Sequence, residues 1–462
     1  MAETNDLTTG PIPGLIRKVA VPASVGFFFY TMYNVVDTFF AGEISTTAIA
    51  ALSLAFPVFF IILSVGSGLS VGGTALIANA LGEGDKDQAR KIAIQGLSFG
   101  IIAALVLTIV GLSLAPPLFR LLGASEEYLS ICLDYMNVIF CGSVFFLVVY
   151  MTNSVLQAQG DTKTFRNFLI LGCVLNCGLD PWFIYGGLGV PAMGISGIAL
   201  ATVLIQAVGC CYLLWRACRS GLLSLRYPKE FIPNGRAFLE IAKQGLPAAV
   251  NYMTIGLGIF VITYFLSWFG ETAVAAYGIA TRVEQIVLMP TIGLNIATLS
   301  IVAQNNGAGH LDRIRETVLA SLKYGALIMS LGTILVFCFA ETMMAVFSDD
   351  PAVIGAGSDY LRIAAFVLYA YVVLFVITAS LQGVKKPMYA IWIGLYRQIA
   401  MPMAVMYLLT RVLDVGLDGI WWAIFTITWS AVVVTVAYAA FQWRKISSAH
   451  VPAEEAPAVP PE

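Results

Sequence analysis

Gly82-Glu83-Gly84-Asp85-Lys86-Asp87-Gln88-Ala89-Arg90 returns 225 residues later as Gly307-Ala308-Gly309-His310-Leu311-Asp312-Arg313-Ile314-Arg315. Both stretches keep the pattern Gly-x-Gly-x-x-Asp-x-x-Arg. At the same offset Pro22 falls on Pro247, Ala23 on Ala248, Thr47-Ala48 on Thr272-Ala273, Gly68-Leu69 on Gly293-Leu294 and Gln157 on Gln382. Chance similarity between apolar helices aligns Ala, Leu and Val. It does not align prolines and a glycine-rich polar loop in one register, so the chain is an internal duplication. A polar stretch with two prolines, Arg219 to Gly235, joins the halves.

What is duplicated follows from composition. Of 462 residues, 59% are apolar and 11% are charged, against about 25% charged in soluble domains, and mean hydropathy is +0.85. At about 20 residues per membrane-spanning helix, that content fills roughly twelve spans and leaves no room for a soluble domain. The net charge of −2 offers no basic surface for nucleic acid. Eight cysteines lie mostly in apolar runs, where a thiol packs as a small hydrophobe. With only His310 and His450 in the chain, neither a disulfide framework nor a zinc site is expected.

Apolar runs predict helices near 15–41, 48–81, 93–115, 130–156, 165–186, 193–217, 240–268, 273–304, 317–340, 356–380, 388–410 and 418–442. The expected organisation is an all-α polytopic membrane protein: an N-terminus over 1–14, a six-helix lobe over 15–218, a linker over 219–239, a second six-helix lobe over 240–443, and a disordered tail over 444–462. Six spans per half put both copies in the same orientation, related by a pseudo-twofold axis along the membrane normal. Such lobes enclose a cleft suited to alternating access. The N-terminal segment lacks the basic region and cleavage site of a signal peptide. Lys and Arg concentrate in the even-numbered loops and at the two ends, for example Lys86, Arg90, Lys163, Arg219, Arg313 and Lys385. By the positive-inside rule both termini are cytoplasmic in an inner, or plasma, membrane. The chain is expected to act in the bilayer as a monomer.

Charged groups inside the membrane cost about 2.5–3.5 kcal/mol on insertion scales, so each needs a reason. Asp37 lies shortly before the outer end of helix 1, and Asp180 shortly before that of helix 5. Asn176 is one turn from Asp180 on the same face. Thr202 in helix 6 reaches the same outer half of the bilayer. Two carboxyls, an amide and a hydroxyl suit a proton or a Na⁺ ion equally, the latter held by Asp37, Asn176 and Asp180. Tyr33 and Tyr135 can hydrogen-bond these acids or serve as interfacial aromatics. Asp180 can instead be a helix cap before Pro181. The repeat argues for function, because Asp37, Asn176, Asp180 and Thr202 map to Ile262, Met401, Val405 and Ile427. A polar set needed to fold both copies would recur in both.

Arg282, Glu284 and Arg397 are the intramembrane charges of the second half. Arg282 and Glu284 stand two residues apart and cannot share a partner on one face; Arg397 can snorkel to the cytoplasmic side. They read as structural or gating groups. Pro22, about 22 Å along helix 1 from Asp37, is a candidate hinge or a static kink. Tyr30, Met253 and Met289 are candidates to line an adaptable apolar cavity. No nucleophile–base pair or phosphate loop is present, so the chain reads as no enzyme and as needing no resident cofactor.

These residues resemble the multidrug and toxic compound extrusion (MATE) transporters over nearly the whole chain. The resemblance rests on the Pro22 to Asp37 spacing with Phe39-Phe40-Ala41-Gly42, and on the two Gly-x-Gly loops. It rests also on Gln157-Ala158-Gln159-Gly160-Asp161, on Asn176-x-x-x-Asp180-Pro181 and on Gly197-Ile198-Ala199-Leu200-Ala201-Thr202. It implies two six-helix bundles and efflux of cationic or amphipathic organic compounds in exchange for H⁺ or Na⁺. It also implies an ion or proton site at Asp37, Asn176, Asp180 and Thr202, with Tyr33 and Tyr135 nearby and Asn153 facing the central cavity. Many members of the Na⁺-coupled bacterial branch carry a Glu where this chain has Thr254, and an Asp just after the position of Gln382, which here is followed by Gly383 and Val384. The chain is therefore more similar to members with a first-lobe site alone, including the DinF-like branch. The alternative is a lipid-linked precursor flippase of the same broad superfamily. Such a flippase calls for a cationic cavity, whereas the first-lobe charges here are acidic.

Overall fold

The computed structural model describes residues 6–121, 125–187, 189–223 and 228–450. Among the described residues the helices fall into twelve segments. The first six are α1 (Ile12–Ile44), α2 (Thr46–Gly82), α3 (Lys86–Leu121), α4 (126–158), α5 (Lys163–Tyr185) and α6 (Ile195–Arg219). The last six are α7 (Gly235–Leu266), α8 (Glu271–Gly307), α9 (Leu311–Ala345), α10 (Pro351–Gly383), α11 (389–412) and α12 (Leu417–His450). Among the described residues, ten helices are each long and apolar enough to cross a membrane, and α4 is an eleventh, bent by 48°. The bend falls at Gly142, where a Cβ would strike Val203 of α6. The twelfth, α11, alternates α-helical turns with two π-helical ones, Tyr396–Ala400 and Leu408–Val412. Helix α12 extends past the expected end of the second lobe. Residues 451–462 of the expected tail lie outside the described residues, as do residues 1–5.

Each lobe has its own apolar core, one gathered around α2, α4 and α6, the other around α8, α10 and α12. Their closest approaches are at glycines, beside an apolar seam of α1 and α8 side chains that includes Ile16, Val19, Leu294 and Ile301. A Cβ on Gly68 of α2 would collide with Ala249 of α7. At the repeat-related place, a Cβ on Gly293 of α8 would collide with Ser24 and Ala20 of α1. The same exchange recurs nearer the chain ends: Gly82 backs onto the carbonyl of Gln304, and Gly307 onto that of Asn79. Both pairs map onto each other at the 225-residue offset, so a pseudo-twofold axis runs between the lobes. Gly84 and Gly309 then turn the chain with φ of +79° and +73°, a left-handed conformation open to glycine at little cost. The pattern Gly-x-Gly thus encodes a close approach followed by a tight turn.

Polar groups lock this end, the terminal face. Gln304 Nε2 donates to the Ala158 carbonyl at 2.6 Å while its Oε1 accepts from the Leu7 amide at 2.9 Å. Asn79 Nδ2 donates to the Gly383 carbonyl at 2.9 Å, and Asn306 Nδ2 to Asn79 Oδ1 at 2.6 Å. Leu7 is fully buried against Ile12, Ile16 and Ile301. Among the described residues, interlobe hydrogen bonds extend no farther from this face than Ser24, whose hydroxyl reaches the Pro290 carbonyl at 3.5 Å. The opposite, far end of the seam has no hydrogen-bonded closure among them.

Candidate functional site

The first lobe gathers its polar groups between α1, α5 and α6, toward the far face. Asn176 Nδ2 donates to Asp37 Oδ1 at 2.7 Å and to Asp180 Oδ2 at 3.1 Å. One amide group therefore bridges two carboxyls from two helices. The geometry follows from sequence: Asn176 and Asp180 sit at i and i+4 on α5, and α1 packs along that face. Helix α5 continues through Pro181 to Tyr185, so Asp180 is an interior residue of the helix and not its cap. Thr202 joins from α6, where its Oγ1 accepts from the Tyr33 hydroxyl at 2.8 Å. Tyr33 is thus bonded to the threonine, where the sequence left it open between bonding an acid and serving as an interfacial aromatic. Tyr135 stands beside both carboxyls without a hydrogen bond to either. All six residues are buried.

Two oxygens of the cluster, Asp180 Oδ1 and Asn176 Oδ1, are buried without a hydrogen-bond partner. Leaving such a group unpaired costs about 1–3 kcal/mol, so the arrangement calls for something to fill it. Two ionised carboxylates around one amide repel each other. The pair is stable with one proton or one monovalent cation between them. Every ligand atom on offer is oxygen, which suits a hard cation as well as a proton. Among the described residues no group of three or more His, Cys, Asp or Glu could hold a metal ion.

Other candidates are placed as follows. Pro22 is buried, and α1 runs unbroken through it at the crossing with α8. Asn153 is 2% exposed, with Oδ1 unpartnered. Tyr30 and Met253 are half-buried, and Met289 is buried. Arg282 is exposed while Glu284 is buried, so the two diverge. Glu284 Oε2 accepts from the Tyr360 hydroxyl at 3.1 Å. Arg397 does not snorkel: it is half-buried, with its guanidinium 5.1 Å from the ring centre of Tyr371. The sequence reading missed Tyr360 and Tyr371. The repeat carried a signal for the first, since Tyr360 lies 225 residues after Tyr135.

Twelve helices in two pseudo-symmetric lobes, with a buried acid pair in one of them, define a membrane transporter and not an enzyme. The MatE family model matches twice, over residues 22–182 and 247–408, two blocks that begin 225 residues apart. The chain belongs to the MatE family, the multidrug and toxic compound extrusion transporters, and is a secondary transporter of the alternating-access type. It is 29% identical to the FAD transporter of Shewanella oneidensis over 86% of this chain and 88% of that protein. It is 24% identical to the probable multidrug resistance protein YoeA of Bacillus subtilis, over 86% and 87%. A solved MOP superfamily transporter from Pyrococcus furiosus superposes with a TM-score of 0.90 at 24% identity, covering 97% of this chain and 99% of that one.

Proposed function

We propose that this chain exports cationic or amphipathic organic compounds in exchange for inward H⁺ or Na⁺, with Asp37, Asn176, Asp180 and Thr202 as its coupling site. The observation that carries the reading is the single amide of Asn176 bridging Asp37 and Asp180, with two cluster oxygens unsatisfied. A proton or ion there removes the repulsion between the acids and lets α1 draw onto α5. Release restores the repulsion. Helix α1 also forms the Gly293 crossing, so the change is transmitted to the lobe interface through a helix that contains Pro22. Ion occupancy then biases the orientation of the lobes, which is how a differential affinity becomes transport. The branch is the DinF-like one or a related one with a first-lobe ion site. Both termini face the cytoplasm of a bacterial cell, and the monomer is the working unit.

A second substrate class is favoured by one observation, the 29% identity to an FAD transporter. A flavin is planar and aromatic like many extruded compounds, but it carries phosphate. The deciding experiment is efflux from proteoliposomes under a Na⁺ gradient and a pH gradient imposed separately, with a fluorescent organic cation and FAD in parallel. Cation efflux driven by one gradient and lost in Asp37→Asn is the expected result. Full coupled efflux in Asp37→Asn overturns the coupling site. No transport of either substrate under either gradient overturns the antiporter and brings the lipid-precursor flippase forward.

A further inference from the structure

The second lobe holds a buried acid that the first-lobe site leaves unused. Glu284 is 7% exposed and lies about 20 Å along α8 from its start. The charged and titratable groups around it are Tyr277 on its own helix, Tyr360 and Tyr371 on α10, and Arg397 on α11. One carboxyl oxygen accepts from Tyr360; the other, Oε1, is buried with no partner. Arg397 is near enough to feel the charge, yet forms no ion pair with it within 4 Å. Its guanidinium lies over the Tyr371 ring instead.

The fold does not need this cluster. At the offset of 225, Glu284 corresponds to Phe59 and Tyr371 to Phe146. In the first lobe those two rings pack edge to face, 5.7 Å apart. An apolar pair fills the same place there, so an acid in the second lobe adds chemistry and not packing. Arg397 corresponds to Gly172, and the guanidinium enters the lobe from the π-turn Tyr396–Ala400. Such turns insert a residue into a helix at a cost and gather at functional positions.

We propose that Glu284 is a second proton-carrying carboxyl, located in the second lobe and held beside the fixed positive charge of Arg397. This deepens the antiporter reading and rests on it. Burial with one oxygen unpaired disfavours the bare carboxylate, and a proton, unlike Na⁺, needs no shell of further oxygens beside a guanidinium, so the ligand is a proton. With the proton on Oε1 the cluster carries the single positive charge of Arg397, and a bound organic cation is disfavoured. Once the proton leaves to water, the carboxylate and Arg397 cancel, and the cation is accepted. Proton and substrate thus compete through charge. Glu284 and Gly293 share α8, so the same helix takes the charge change and forms the crossing with α1.

Infrared difference spectra of the purified full chain, titrated with pH, test this by reading protonated carboxyls through their C=O stretch. Wild type, Glu284→Gln and Asp37→Asn are compared after each is shown to be monodisperse. Glu284→Gln should remove one titrating carboxyl band that Asp37→Asn retains, and Arg397→Gln should shift the pH at which that band vanishes. A band pattern unchanged in Glu284→Gln overturns the proposal. If Glu284→Gln does not fold, Tyr371→Phe and Arg397→Gln carry the test, and a titration unmoved in both overturns it. The antiporter reading fails by a different result, the absence of gradient-driven efflux by wild type, which does not depend on the infrared band.

Discussion

The two lobes share a backbone plan and differ in where each places its polar interior. Near the far face the first lobe has Asp37, Asn176, Asp180 and Thr202, where the second has Ile262, Met401, Val405 and Ile427. Deeper in, the roles reverse: the second lobe has Glu284 and Tyr371 where the first has Phe59 and Phe146. Duplication kept what joins the lobes and let each core diverge. The preserved part is the set of glycines at the seam, because a side chain added there meets backbone. The divergent part is where chemistry resides.

The largest test of this contrast is Asp37→Asn against Ile262→Val at the matching place in the other lobe. Coupled efflux should fall to background in the first and stay near wild type in the second. A surviving Asp37→Asn would break the asymmetry. Next come the seam glycines: Gly82→Ala and Gly307→Ala should each cost about 1–3 kcal/mol by overpacking, read as matched losses in thermal stability. Unequal losses would show that the pseudo-twofold seam is not symmetric in energy. Thr202→Val removes the acceptor of the Tyr33 hydroxyl and should cost about 1–3 kcal/mol, with coupling weakened and not abolished. Gly160 and Lys385 are equivalent positions, with φ of +73° and +60°. Gly160→Ala should destabilise by about 1–2 kcal/mol, while Lys385→Gly should be neutral or slightly stabilising, because it relieves that conformation and gives up only an exposed pairing with Glu83.

The smallest effect concerns the N-terminal segment. Burial pushes the Asp6 carboxyl up, but hydrogen bonds from Thr8 and Thr9 and the charge of Arg313 outweigh it and hold it below its ordinary value. A depressed carboxyl contributes stability above its unfolded pKa and loses it as pH falls through the folded one. The segment should therefore stay docked at neutral pH and loosen only below about pH 4, seen as faster amide exchange at Leu7. Asp6→Asn should remove that pH dependence with little change in melting.

The spans were legible because a membrane demands long apolar runs, and the duplication was legible because close contacts demand glycine. The bend at Gly142 and the π-turns of α11 were not, since hydropathy carries no record of hydrogen-bond register. In the first lobe, Asn176 and Asp180 could be placed together from their spacing on one helix, and Asp37 and Thr202 from their depth. The partner of Tyr33 could not, because rotation of α6 about its axis decides which side chain faces the tyrosine. Glu284 stood out as a charge, but its companions did not, since Tyr360 and Tyr371 look like any aromatics in an apolar run.

The helix crossings at Gly68 and Gly293 have a kinetic consequence. At these two points only small side chains stand between the helices, and one helix can roll over another with fewer ridges having to climb out of grooves. The resistance to reorienting the lobes then lies nearer the terminal face, in the short polar bonds of Gln304, Asn79 and Asn306 and in the apolar contact of Ile16 and Val19 with Leu294 and Ile301. Turnover should be limited by how often those contacts open together, and substitutions that weaken them should speed the empty carrier's return while leaving its substrate affinity alone.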